Sequence, residues 1–458
     1  MTNSLAERFA GVMKQDWDAR AREDARWYIN TLRRRQSEEE FDRTGAVEVE
    51  RLVAADLRLL ARGRDPRHLR LLEIGCGAGR MTRHLAPLFG AVTGIDVSGE
   101  MIRQARERLR DAPNVQLHET NGVDFANFPD GAFDLILSAY VFQHVPDAEV
   151  IASNVSEAWR VLAPGGVFKF QTSGVTGADF ETVEKNTWSG APFPEARIRA
   201  FAREAGAQLL GIFGAGTQYC WTLLRKRLTS ATGGAGEGRP RIELHGRTTE
   251  AANPRIPAGG DLASLTLIAS GLDGEQADCN SISVVIRDCA IPARYVGPVG
   301  RNFDAAVRAA FGDSFAHLTQ IEIGVPAGTG AGWAAVQVRA GDGELSDAVQ
   351  IEFEAGRDRQ PRIGSIMNVH DDGLELDASG PRSRIRVLVE GLDEQAAADT
   401  LRVQIGECVL TPLHVGYLPG NAVHEMLAQL PAGIEPGTYA ARVHVNGLPS
   451  PPVEVVIR

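Results

Sequence analysis

Glu73, Gly75, Gly77 and Gly79 fall at alternate positions in "LLEIGCGAGR", directly after an apolar run, and this spacing is the first in the chain that could do chemistry. Glycine serves where a backbone must turn tightly or let another molecule touch it, so the stretch reads as strand, ligand-approachable loop, helix. The third glycine comes one residue earlier than in the dinucleotide fingerprint G-x-G-x-x-G. Asp96 lies 23 residues after Glu73, at the end of the next strand-like run "VTGIDVS". A carboxylate there can accept hydrogen bonds from both hydroxyls of a ribose. It could also cap the following helix, although Ser98 is available for that. A third run ends "HETNGVDF", where Asn121, Gly122 and Val123 either offer an amide and a polar side chain to an adenine edge or form a plain β-turn.

These residues need elements to hold them. Residues 1–64 carry a helical pattern rich in Ala, Leu, Arg and Glu. Residues 65–228 alternate strand-like runs ("LRLLEIG", "AVTGIDV", "VQLHET", "FDLILSAY", "GVFKFQTS") with helical ones, which implies a parallel sheet covered on both faces. Two last runs, "AQLLGIFGAG" and "QYCWTLLRKR", are separated by only a turn and must therefore be antiparallel.

Residues 229–239 are a small-residue linker, after which the chain repeats itself with a period of about 120 residues. "PRIELHG" answers "PRIGSIM", and "ISVVIRDCAIPARYVGP" answers "LRVQIGECVLTPLHVGY". Both copies, 240–356 and 361–458, are series of short alternating strands punctuated by Gly, Pro, Asp and Asn, the signature of two β-sandwiches. The pattern "PAG…GTYAARVHVNGLPSPPVEV" resembles the immunoglobulin-like, IPT/TIG-type repeats of bacterial proteins. The acidic stretch His370–Asp377 reads as a solvated turn.

Jointly, "LLEIGCGAGR", "VTGIDVS", "FDLILSAYVFQHV" and "RVLAPGGVFKFQTS" resemble four successive motifs of the class I S-adenosylmethionine-dependent methyltransferases, of the small-molecule methyltransferase-domain type, over residues 69–174. The reversed strand pair near Gln208–Arg225 suits that family and, with the glycine spacing, disfavours a nicotinamide-dependent oxidoreductase. The implied architecture is multidomain: an α/β, Rossmann-like seven-stranded methyltransferase domain plus two tandem all-β immunoglobulin-like sandwiches. The resemblance implies S-adenosyl-L-methionine as cofactor. Gly75, Gly77 and Gly79 would approach its methionine part, with Glu73 anchoring the loop. Asp96 would take the ribose, Val97 and Met101 would lie beside the adenine, and Gly122 and Val123 would meet the adenine edge. Asn121 stands where many members carry Asp, and its amide oxygen can still accept.

Methyl transfer from a sulfonium is an in-line displacement that needs alignment, and a base only where the acceptor must lose a proton. Acceptors meet cofactors beyond the carboxyl ends of the strands, which places Tyr140, Gln143, His144, Gln171 and Thr172 nearby. His144 is either the base or a histidine bridging a helix start to backbone, and Gln143 is its polar neighbour. By the resemblance, residues 1–64 would form an N-terminal helical lid of the methyltransferase, so Trp27 and Tyr28 come either from a helix closing over the cofactor or from an aromatic core position. Arg80 meets the methionine carboxylate or stays solvated. Trp188 and Phe193 are expected to wall the pocket.

A formal net charge of −11 excludes a general nucleic-acid or anionic-membrane binder. The basic run "LRRRQ" is followed by "SEEE" and reads as a solvated helix face. The five cysteines form no C-x-x-C pair, so neither zinc nor a disulfide framework is expected, and no metal is assigned. With no export signal or membrane-length apolar run, a cytoplasmic protein is expected. Two functions compete. One is a methyltransferase acting on O or N of a small-molecule or glycan-like acceptor. The other is a non-catalytic cofactor-binding remnant on a module whose sandwiches contact protein or carbohydrate.

Overall fold

The computed structural model describes residues 2–458 except 32–34, 55, 62–63, 175–186, 189, 229–238, 247–255, 259–263, 274–276, 288, 300–306, 312–314, 316, 326–328, 330, 356–360, 370–372, 391, 393–400, 411, 413, 419–422, 432 and 446–447. Much of the basic run, nearly all of the linker, most of the segment after the fifth strand, and the start of the acidic stretch therefore lie outside the described residues.

Helix α1 (Thr2–Ile29) is interrupted at Asp24, whose carboxylate accepts the backbone N–H of Trp27 at 3.1 Å and so caps the restarted turn. Helix α2 (Glu38–Val49) begins with a reciprocal capping box between Ser37 and Glu40. It runs into a π-helical turn, Glu50–Ala54, before α3 (Leu57–Ala61).

The sheet continues the chain as β1 (Arg70–Ile74), β2 (Ala91–Asp96), β3 (Val115–Glu119), β4 (Phe133–Ser138), β5 (Leu162–Thr172), β6 (Gln208–Phe213) and β7 (Cys220–Arg225). Between them lie α4 (Thr82–Leu85), α5 (Gly99–Arg108), α6 (Ala148–Val161) and α7 (Glu195–Glu204). The strand order is β3-β2-β1-β4-β5-β7-β6, with β7 antiparallel to both β5 and β6 as the short turn requires. Strand alternation feeds two cores. Leu72, Ile74, Ile136 and Phe168 pack with Ile151, Val155 and Ala158 of α6, while Leu71, Leu135, Leu137 and Val167 pack with Val49, Leu52 and Leu60. Apolar residues at successive positions are what a sheet covered on both faces demands.

The expected linker separates sequence patterns, not packing units. Strand β6 does not end the sheet. It is joined by β13 (Tyr295–Pro298), with Ile212 N–H donating to the Arg294 carbonyl at 2.8 Å and Cys279 N–H to the Leu209 carbonyl at 2.8 Å. Beyond β13 come β14 (Thr319–Gly324), β10 (Ser264–Ser270) and β8 (Arg241–Gly246), giving eleven strands in one sheet. The facing sheet of this copy runs β12 (Cys289–Pro292), β11 (Ile282–Ile286), β15 (Gly332–Ala340), β16 (Val349–Ala355) and β9 (Ile256–Ala258). Its Ile282, Val284 and Val336 share a single buried cluster with Leu209 and Ile212.

The second copy repeats the first in one of its two sheets and differs at the edge of the other, where β9 has no counterpart strand. Its sheet β17 (Arg362–Asn368), β18 (Arg384–Glu390), β22 (Val423–Gln429), β21 (His414–Leu418) matches β8-β10-β14-β13 in order. Facing it, β20 (Cys408–Leu410), β19 (Leu401–Ile405), β23 (Gly437–Val445), β24 (Leu448–Pro449) and β25 (Val453–Ile457) enclose a core of its own, including Ile385, Val387, Val403 and Val443. Its β21 also approaches the first domain. Gln218 N–H, in the β6–β7 connection, donates to the Val415 carbonyl at 3.3 Å. Both copies thus present the corresponding edge strand, β13 and β21, to the β6–β7 region.

Candidate functional site

A cavity of about 830 Å³ opens at the carboxyl ends of β1, β2 and β4, roofed by α1, α2 and the second sandwich. Its floor is the glycine loop. Gly75 and Cys76 donate to the Ile95 carbonyl at 2.8 and 3.0 Å, which folds the loop back over β2. Gly75 (φ +69°) and Gly77 (φ +53°) line the cavity in left-handed backbone, where a side chain is strained. A Cβ on Gly75 would strike Val141, and one on Gly77 would come 2.9 Å from Ile29 Cδ1 of α1. Gly79 (φ +79°) differs from its expected role. Its face is turned to Ala105 of α5 and to Leu109 directly after that helix, so it seats the helix and does not line the cavity.

Asp96 closes the end of β2. One carboxylate oxygen accepts from Gly77 N–H at 2.9 Å and the other from Ser98 N–H at 2.9 Å, so it ties glycine loop to helix start while facing the cavity. Burial pushes its pKa up to about 6 against the pull of these backbone donors. Glu73, on β1, lines the cavity and accepts from Thr82 Oγ1 at 2.6 Å; burial raises it to about 7. Val97 and Met101 line the cavity beside Asp96, with Met101 packed against Ala21 and Ala25 of α1.

The third expected patch divides. Gly122 lines the cavity, but Val123 is fully buried beneath it. Asn121 spends its amide on its own turn: Oδ1 accepts from Val123 and Asp124 N–H at 2.8 and 2.9 Å, and Nδ2 donates to Asp124 at 2.8 Å. It therefore stands outside the cavity as an Asx turn. Phe125 and Thr120, unforeseen, line it instead.

At the other end, Tyr140 has φ +61°, strained for a tyrosine. Its hydroxyl accepts from Arg51 at 2.6 Å and donates to Glu48 at 3.2 Å, both supplied by α2 and its π turn. Burial raises the Tyr140 pKa, so the hydroxyl stays protonated. His144 Nδ1 lies 2.7 Å from the Trp188 carbonyl, which can only accept, so the ring proton sits on Nδ1. Nε2 then accepts from Gln143 Nε2 at 3.2 Å. Burial lowers the His144 pKa to about 4, which keeps the imidazole neutral. Gln143 Oε1 in turn accepts from Gln171 at 3.2 Å and Gln218 at 3.3 Å. Gln171 is fully buried behind Gln143 and orients it; Thr172 donates to the Phe193 carbonyl at 3.0 Å and is likewise buried away from the cavity. Phe193 is also buried rather than lining, whereas Trp188 lines the cavity.

Tyr28 and Trp27 both line the cavity from α1. Trp17, Asp18 and Arg20 on the same helix were not anticipated. Arg20 lies over Trp17, Tyr28 and Trp188 at 4.8, 5.9 and 5.5 Å and donates to the Thr187 carbonyl at 3.1 Å, so α1 is tied to the segment after β5 across the mouth. Asp18 accepts from Ser98 Oγ at 2.6 Å and Glu100 N–H at 3.0 Å. Arg80 is buried in the wall, its Nη1 3.3 Å from Thr44 Oγ1 and its Nε with no partner among the described residues. Gly45 of α2 rests directly on the Arg80 carbonyl, leaving no room for a Cβ. Among the described residues no group of three or more His, Cys, Asp or Glu could hold a metal, and no helix is long and apolar enough to cross a membrane.

Residues 72–170 match the family described as "Methyltransferase domain". A demethylmenaquinone methyltransferase of Tropheryma whipplei (strain Twist) is 41% identical over 96 residues, 21% of this chain and 38% of that protein. A ubiquinone biosynthesis O-methyltransferase of Aromatoleum aromaticum is 30% identical over 159 residues, 31% of this chain and 67% of that protein. The chain thus spans well under half the length of the first relative and two thirds of the second. The crystal structure of the N-methyltransferase NodS from Bradyrhizobium japonicum with S-adenosyl-L-homocysteine is 21% identical, covering 47% of this chain and 98% of that one at a TM-score of 0.35, too low to bear on the fold.

Proposed function

The chain belongs to the S-adenosylmethionine-dependent methyltransferases, and from that premise we propose that it moves a methyl group to an oxygen or nitrogen of a small-molecule acceptor. The observation that carries this reading is the continuity of the cavity, from Asp96 and Gly122 past Gly75 and Gly77 to Tyr140 and His144. Its volume of about 830 Å³ suits a cofactor and an acceptor together. The two relatives are named for quinone biosynthesis, which favours an aromatic small acceptor over a glycan.

The residues present fit the cofactor. Asp96 offers a carboxylate to a ribose, Met101 and Val97 an apolar wall, and Gly122 a side-chain-free approach at the adenine end. Gly75 and Gly77 let a ligand meet backbone, Glu73 suits an ammonium, and the partnerless Nε of Arg80 suits a carboxylate. When bound, S-adenosyl-L-methionine supplies an activated methyl group on a sulfonium.

The chain's own work is alignment and exclusion of water. Trp17, Tyr28, Trp188 and Tyr140 enclose the acceptor end, and α1 closes it. A histidine with pKa about 4 is too weak a base to take a proton from a neutral hydroxyl at pH 7 unaided. We assign His144, whose two ring nitrogens are spent on the Trp188 carbonyl and on Gln143, to walling the acceptor end beside Trp17 and Trp188.

Calorimetric titration of S-adenosylmethionine and S-adenosylhomocysteine into wild type and Asp96→Ala tests the reading. Micromolar binding that weakens about ten- to a hundredfold in the variant is expected, the cost of losing a charged hydrogen-bonding partner. No binding to the wild type would leave a remnant.

A further inference from the structure

The second sandwich does more than dock: it supplies the far wall of the cavity. Along β18 the side chains alternate, with Ile385, Val387 and Val389 in the sandwich core and Arg384 and Arg386 on the opposite face. An outward sandwich face ordinarily meets water, yet here it meets the first domain. Arg384, Arg386, Glu425 and Leu427 all line the same cavity as Tyr140, Gln218 and Tyr219. Register explains why these four converge. Arg386 pairs across with Leu427, and Arg384 with Gln429 two residues further along the same face, while Glu425 sits beside them. The edge contact from Gln218 to Val415 holds this face against the β6–β7 connection.

The electrostatics of that wall are one-sided. Arg386 Nε lies 2.6 Å from Glu425 Oε1, with both side chains about 15% exposed. Arg384 has no such carboxylate: its Nε is buried and has no hydrogen-bond partner among the described residues. Of the charged residues lining this end, Arg43, Arg80, Arg384 and Arg386 outnumber Glu48, Glu73 and Glu425, with Arg80 attracted to both Glu48 and Glu73. A guanidinium that lines a cavity without a carboxylate partner is suited to an oxyanion, whose acceptor atoms match its parallel donors.

We infer that Arg384, supported by Arg386, reads a carboxylate or phosphate carried by the acceptor, so that the second sandwich is part of the acceptor site. The inference rests on the methyltransferase reading above and names its substrate class: an aromatic acceptor with an anionic group remote from the methylated atom. The ring lies among Tyr140, Tyr219 and Trp188, while the oxyanion reaches the sandwich.

The test uses the full chain saturated with S-adenosylhomocysteine and three probes: benzoate, phenyl phosphate and benzyl alcohol. Calorimetry should show at least one anionic probe binding about tenfold or more tighter than benzyl alcohol, and which one identifies the anion. Arg384→Gln should abolish that preference and Arg384→Lys should restore part of it, with S-adenosylhomocysteine affinity within about twofold of wild type in both. Equal binding of the three probes, no binding of any, or a preference that survives Arg384→Gln would overturn the inference. Failure of S-adenosylhomocysteine to bind the wild type would instead sink the underlying cofactor assignment.

Discussion

Asp96 and Glu73, two buried carboxylates with raised pKa values, line one end of the cavity, and on the proposed reading Asp96 makes cofactor binding pH-dependent. Asp96, at about 6, is half protonated there in the free protein, and only its ionised form can accept from both hydroxyls of a ribose. S-adenosylhomocysteine affinity should therefore rise up to about tenfold per pH unit below 6 and level off above 7. Asp96→Asn should flatten this profile in calorimetry at a series of pH values; an unchanged profile would show that Asp96 does not govern it. The same burial costs the free protein stability. Folded Asp96 and Glu73 hold protons that the unfolded chain has released, so their contribution is present below about pH 4 and is lost as pH rises through 6 and 7. At the glycine loop, Gly75→Ala must place a Cβ against Val141 in left-handed backbone and should cost about 2–4 kcal/mol in denaturant unfolding. Spacing alone singled out Gly75, Gly77 and Asp96 because each belongs to one local strand-loop-helix unit. It could not separate Gly79, whose partner Leu109 lies thirty residues on, nor Asn121, whose "NG" pair equally signals the Asx turn it makes. Arg20, Glu48, Arg51 and Arg384 reach the site from remote segments and carry no local signature.

Elements arrange these residues, and α1 is the one that closes the site. Ser98 caps α5 from within, accepting from Met101 N–H at 3.1 Å, and Asp18 of α1 adds a second acceptor from outside for Glu100 N–H. The N-terminal turn of α5, which carries Met101 into the cavity, is thus fastened to the lid. Asp18→Ala removes two hydrogen bonds, from Glu100 N–H and from Ser98 Oγ, together worth about 1–3 kcal/mol. Amide hydrogen exchange at Glu100 and Met101 should quicken several-fold, with S-adenosylhomocysteine bound more weakly by a similar factor. Exchange that quickens only in α1 would show the lid and α5 to be uncoupled. The helical pattern of residues 1–64 was legible in its composition, but the fastening to α5 was not, because a charged helix face looks alike whether it caps a neighbour or meets water. The alternating strands and the reversed β7 were legible from apolar runs and turn length, whereas the order of strands across the sheet was not. The pairing of β6 with β13 was not, since pairing between distant strands leaves no local pattern. One signal did exist: "QLLGIF" is apolar at nearly every position, which an uncovered edge strand would not tolerate.

For the molecule as a whole, the packing divides the chain differently from its sequence patterns. The methyltransferase core and the first sandwich share one eleven-stranded sheet and one buried cluster, running from Leu72 through Leu209 to Ile282 and Phe353. The second sandwich keeps a separate core around Ile385 and Val443 and touches the rest through a cavity wall and an edge strand. Residues 65–355 should therefore unfold as one cooperative unit, and the second sandwich as another. In differential scanning calorimetry, S-adenosylhomocysteine at a hundred times its dissociation constant adds about 2.7 kcal/mol to whichever unit binds it. That ligand should raise one transition only. Ile282→Ala, in the first sandwich and far from the glycine loop, should lower this ligand-responsive transition by an amount equivalent to about 2–5 kcal/mol. Ile385→Ala should lower the other transition by a comparable amount and leave the ligand-responsive one in place. An Ile282→Ala variant whose ligand-responsive transition stayed at its wild-type temperature would mean that the shared sheet does not couple the two units. An anionic aromatic probe bound across the Arg384 wall would add a link between the first domain and the second sandwich, and it should draw the two transitions together only when the second sandwich is intact.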